Sequence, residues 1–238
     1  MLEKWFKQII LKDFILVIKR NNSLYIPIIF FTLIILLFPF SLGSHISKIQ
    51  SIGIHIIIIS ILLTSFLSLN NFLQEDYIDG SLELLLFSPI SLEYYIFIKN
   101  IIHWLLYKSL IICLIPLLGN ILGLSITSVL QTLPLLIILT IIVTFIGTVI
   151  SIITLSLEQK YFLTILIIFP TILPTTLIIV QLHEELGNII YTNDECTIYT
   201  VINYLFTKKT IIILCIYCII TCSLTPWIGG IVLSIYFL

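Results

Sequence analysis

Six stretches of about 20 or more mostly apolar residues dominate this chain, at roughly 23–42, 51–70, 96–118, 129–156, 161–181 and 210–236. A segment crossing a hydrocarbon core about 30 Å thick finds no water for its backbone N–H and C=O groups, so it must satisfy them internally as a helix. The pattern therefore predicts an all-α integral membrane protein: six transmembrane helices forming one domain over residues 1–238. The fourth stretch is long enough to tilt or protrude. Of the 238 residues, 60% are hydrophobic and only 10% charged, against about a quarter charged in soluble domains. A net charge of −1 provides no basic surface for a phosphate backbone, so a nucleic-acid partner is excluded and membrane lipid is the expected surrounding. The loops look too short to house a soluble active site, and an enzyme is not expected.

Orientation follows from lysine and arginine. Lys4, Lys7, Lys12, Lys19, Arg20, Lys99, Lys108 and Lys160 fall on one side of the membrane, and Lys48, Lys208 and Lys209 on the other. The excess belongs inside, which puts both termini there. Residues 1–22 include Leu2, Trp5, Phe6, Ile9, Ile10, Phe14 and Val17 at helical spacing, with Lys4, Lys7, Gln8 and Lys12 on the other side, the pattern of an interfacial helix. Nothing at this end has the form of a cleavable targeting segment.

The chain has no Ala and a single Arg, Arg20. Codons for both are typically rich in G and C, which points to an A+T-rich genome and hints at an organelle. Cys215, Cys218 and Cys222 share a helical face and read as a packing stripe in the sixth span, while Cys196 has no cysteine neighbour in its polar stretch. His45 and His183 are assigned to outer loops. The set His183, Glu184, Glu185, Asp194, Glu195 and Cys196 matches no tetrahedral metal spacing, and no metal site is expected.

The densest charges lie between the second and third spans, in Gln74-Glu75-Asp76-Tyr77-Ile78-Asp79-Gly80-Ser81-Leu82-Glu83. Acid on an inner face needs a reason. Asp79-Gly80 is a turn signal, Ser81 suits a helix cap, Glu83 complements the positive end of a helix dipole, and Pro89 stops the helix by about Ser88. The expected two-turn helix would anchor through Leu82, Leu85 and Leu86 and is too short to stand alone in water.

Residues 73 to 89, Leu-Gln-Glu-Asp-Tyr-Ile-Asp-Gly-Ser-Leu-Glu-Leu-Leu-Leu-Phe-Ser-Pro, resemble the signature of the CcmB family, the haem exporter B membrane subunit of cytochrome c maturation. The similarity continues through Lys99, His103-Trp104-Leu105, the Leu37–Gly43 segment, Ile146-Gly147 and Thr225-Pro226-Trp227. Where the family has a basic, glycine-containing turn after the fourth span, this chain has Glu158-Gln159-Lys160-Tyr161.

The resemblance implies an ABC-2 type membrane subunit, acting as a homodimer with a CcmA-like ATPase subunit and with CcmC-, CcmD- and CcmE-like haem-handling proteins. ATP would bind to the partner, because this sequence has no G-x-x-x-x-G-K-[ST] phosphate cradle. Haem, or a haem-loaded chaperone to be released, would be the cargo. Residues 74–93 would form the inner coupling segment, with Glu75, Asp76, Tyr77, Asp79, Gly80, Ser81 and Glu83 meeting the ATPase. His103 and Trp104 are the haem-proximal candidates, against the plainer reading of an interfacial anchor. The compartment expected is the mitochondrial inner membrane with both termini in the matrix, the alternative being a bacterial cytoplasmic membrane. A six-span protein-translocation subunit of the twin-arginine type is the rival reading, but the acidic string is foreign to it. Lys108, the ionisable residue nearest mid-membrane, is expected to snorkel.

Overall fold

The structure is a computed structural model that describes residues 21–43, 46–69, 72–88, 91–155, 157, 160–192 and 209–237. Residues 1–20, which carry most of the expected interfacial helix, lie outside these, as do His45, Glu158, Gln159, Asp194, Glu195 and Cys196.

Among the described residues the chain is helical, without strands. Helix α1 runs Asn21–Leu42 and α2 Ile46–Leu69; two short helices follow, α3 Gln74–Ile78 and α4 Ser81–Leu86. The third span begins as α5, Leu92–His103, loosens into a π-turn over Trp104–Lys108, and continues as α6, Ser109–Ile121. Helices α7 (Ile126–Ile153), α8 (Lys160–Thr192) and α9 (Lys209–Tyr236) complete the order. Six segments are long and apolar enough to cross a membrane: Tyr25–Leu42, Ile49–Leu69, Leu92–Ile121, Ile126–Ile153, Phe162–Glu185 and Thr210–Tyr236. The protein is thus a multi-pass membrane protein.

Helix α7 is the hub, contacting α2, α6, α8 and α9, while α1 packs on α2 and α9 on α5. Its start is set by Ser125, whose hydroxyl accepts the Ser128 N–H at 3.2 Å, leaving one fewer unpaired donor in the first turn. The core is mostly branched aliphatic, including Ile57, Ile61, Leu136, Leu139 and Val143. A stripe of hydroxyls is buried within it: Ser60, Thr64, Ser65 and Ser68 on α2, and Thr140, Thr144, Thr148 and Ser151 on α7. Spacings of three and four keep each stripe on one helix face. Most of these hydroxyls donate to carbonyls three or four residues earlier, as Ser60 does to Ile56 and Thr144 to Thr140, both at 2.7 Å.

Two expectations change. His183 lies inside α8 and inside the fifth apolar span rather than in an outer loop, because that helix runs on to Thr192. The cysteine stripe does not belong to the core of this chain: Cys215 is exposed, and Cys218 and Cys222 are half-buried.

Candidate functional site

The segment joining the second and third spans folds into a compact ledge. Helix α3 starts from a turn in which the Tyr77 N–H donates to the Leu73 carbonyl at 3.0 Å. Gly80 then reverses the chain at φ 68, a left-handed conformation that costs a Cβ-bearing residue strain. Gly80 rather than Ser81 occupies the cap position of α4. The Ser81 hydroxyl instead reaches back to the Asp76 carbonyl at 3.1 Å and to its Oδ1 at 3.2 Å, tying α4 to α3. Neither helix is long enough to persist alone. They are held by burial of Phe72, Leu73 and Leu82 against Tyr95 and Ile96 of α5, Ile152 of α7 and Leu233 of α9.

Asp76 is the polar pin of this contact. It is 3% exposed, pairs with the Lys99 ammonium, and accepts the Tyr95 hydroxyl on Oδ2 at 2.8 Å. Lys99 Nζ also donates to the Tyr95 oxygen at 3.3 Å and sits 5.7 Å from the Phe72 ring centroid. Asp76 therefore points into the chain, away from any partner surface, because α5 begins early enough to put Tyr95 and Lys99 beneath it. The outward side bears Tyr77, Ile78, Asp79, Glu83, Leu84 and Phe87, of which Ile78, Leu84 and Phe87 are 70%, 71% and 89% exposed. Glu75 occupies the second position of α3. The expected partner-binding set thus divides: Asp76, Gly80 and Ser81 shape the ledge, whereas Tyr77, Asp79 and Glu83 are presented by it.

The family model described as CcmB protein matches residues 4–217, which takes in the ledge and the first five spans. The chain belongs to the CcmB family. It is 27% identical to the heme exporter protein B of Pseudomonas aeruginosa over 73% of this chain and 78% of that protein. Its identity to the protein of the same name from Haemophilus influenzae is 28%, over 76% of this chain and 82% of the relative. The corresponding Bradyrhizobium diazoefficiens protein is 30% identical over 49% of this chain and 53% of its own length.

Beyond the ledge, this CcmB-family chain buries a second group of polar side chains within the third span. The His103 ring is sealed between Tyr107, stacked at 4.6 Å, and the edge of Phe72 at 5.2 Å. Its Nε2 lies 3.3 Å from the Ser68 carbonyl, and its Nδ1 is buried with no hydrogen-bond partner. Trp104 donates through Nε1 to Thr140 at 3.1 Å, bridging to α7. His103 is buried, and Trp104 is partly so.

Lys108 does not snorkel. It has no exposed surface, and its Nζ donates to Ser65 Oγ at 2.7 Å and Ser68 Oγ at 3.2 Å. The reason is the π-turn, which inserts one extra residue per turn and re-aims the side chains that follow it. Tyr95, Lys99, His103 and Tyr107 are spaced by four, so a polar stripe along the third span was visible as a pattern. The partners of that stripe were not.

Proposed function

We propose that this chain is the transmembrane subunit of a haem exporter in c-type cytochrome biogenesis, driven by ATP that is bound and hydrolysed on a separate CcmA-like subunit. The observation that carries the coupling role is the ledge itself. It is fixed to the third span by the Asp76–Lys99–Tyr95 contact, yet it presents Leu84, Phe87 and Ile78 beside Asp79 and Glu83. Large apolar side chains exposed outside the spans, rimmed by charge, suit a protein partner. The carboxylates would give charge-assisted contacts to basic groups on the ATPase, and the pinned side would pass its motion to α5.

The cargo is haem, or a haem-loaded chaperone whose release the complex drives, consistent with the names of the Pseudomonas and Haemophilus relatives. CcmC-, CcmD- and CcmE-like proteins are the remaining partners, and a second copy of this chain completes the membrane pore. This chain performs no catalysis of its own. The absence of Ala and the single Arg, Arg20, suit an A+T-rich organelle genome and support a mitochondrial inner membrane with both termini in the matrix. The bacterial origin of the relatives favours the alternative, a bacterial cytoplasmic membrane.

Affinity purification of the tagged chain from native membranes in mild detergent, with mass spectrometry of its partners and an absorption spectrum, tests this reading. An ATPase subunit and a CcmC-like protein should accompany the parent chain, and the ATPase should be lost from Asp79→Lys/Glu83→Lys. Recovery of respiratory or translocase subunits instead would overturn it.

A further inference from the structure

Lys108 lies close to the midpoint of the 30-residue span Leu92–Ile121 and is fully buried. Among the described residues no carboxylate forms an ion pair with it; its partners are the hydroxyls of Ser65 and Ser68. An ammonium has three N–H donors and a full charge, so among the described residues two neutral acceptors leave one donor and the whole charge without a counterpart. Lys99, on the same helix, has Asp76. An ionisable residue in this position is functional by default, and its partner is the question.

Two further features surround it. The π-turn Trp104–Lys108 ends at this lysine, and such turns concentrate at functional sites because they sacrifice regular hydrogen bonding. Other polar groups of the same helix are also buried without partners: His103 Nδ1 and both side-chain atoms of Asn100. Native interiors rarely leave such groups unpaired, and several along one helix point to a ligand.

We infer that Lys108 is an anion receptor within the membrane domain, taking a carboxylate of an amphipathic organic acid when the second and third spans part. The inference rests on the haem reading for the identity of that acid: haem is a flat apolar molecule with two propionate carboxylates, and Lys108 neutralises one of them in place of Ser65 and Ser68. In the conformation described here the site is closed. Opening it exchanges two hydrogen bonds to uncharged hydroxyls for one to a carboxylate, which supplies the countercharge the hydroxyls lack.

The test uses the full-length chain in lipid nanodiscs, titrated with haemin and with haemin dimethyl ester, whose carboxylates are blocked. The parent should bind haemin at least tenfold more tightly than the ester. Lys108→Met should abolish that preference by weakening haemin alone, and Lys108→Arg should restore it. The melting temperature of each variant is measured alongside, and Ser68→Ala, which keeps the charge, should retain the preference. Equal binding of haemin and ester by the parent, or an unchanged preference in Lys108→Met, overturns the receptor role while leaving haem as cargo. Absence of saturable haemin binding by the parent also overturns it, whereas the cargo reading is decided separately by the partners that co-purify.

Discussion

Removing either member of the Asp76–Lys99 pair should unsettle the ledge, and removing both should cost less than the two single losses together. The two side chains are 5% and 11% exposed, so water screens neither. Asp76→Asn preserves shape and leaves an acceptor for the Tyr95 hydroxyl, but it removes the carboxylate charge that faces the Lys99 ammonium in a desolvated site. Stranding a buried charge costs about 3–5 kcal/mol. Lys99→Met removes the ammonium that faces the Asp76 carboxylate, with a cost of the same order, softened by the hydrogen bonds that Tyr95 and Ser81 still donate. In Asp76→Asn/Lys99→Met neither charge remains, and the loss should fall short of the sum of the single losses by roughly 2–3 kcal/mol. Unfolding the purified protein by denaturing detergent, followed by Trp fluorescence, measures all four corners of this cycle. Single losses that simply add, to within about 0.5 kcal/mol, would refute the claim that this pair pins the ledge.

Tyr95→Phe removes the hydroxyl shared by Asp76 and Lys99 and should destabilise by about 1–2 kcal/mol in the same assay. At Gly80, where φ is 68, Val should cost about 1–2 kcal/mol and increase protease cleavage of the 72–88 segment, whereas Asn should be better tolerated. A Cβ at Gly147 would run into the Leu69 side chain, which is itself fully buried. Gly147→Val should therefore separate α2 from α7 and lower stability by about 1–3 kcal/mol, read as a fall in melting temperature.

The spans were legible because apolar length has one meaning in a membrane, and the start of α4 was legible because Asp79-Gly80 is a local signal. The Asp76–Lys99 contact was not, since it joins residues 23 positions apart and depends on α5 starting at Leu92, before the apolar run becomes continuous. The same long-range dependence hid the division of the acidic string into an inward Asp76 and an outward Asp79 and Glu83. The register of Lys108 was hidden for another reason. The π-turn over Trp104–Lys108 departs from the regular helical period, so extending an ideal helix through it aims the lysine wrongly. His183 was misplaced because Glu184 and Glu185 look like loop residues, although the helix continues unbroken through them to Thr192.

On the function proposed above, the outward face of the ledge would receive the ATPase while its inward face holds the spans. Leu84→Asp/Phe87→Asp tests it most directly, since both side chains are largely exposed and outside the spans. Purified from cells expressing the whole system, this variant should match the parent in yield and melting temperature and yet bring down less than about a tenth of the parent's ATPase subunit, a loss of more than about 1.4 kcal/mol in binding. Parental recovery of the ATPase from a stably folded variant would contradict the account.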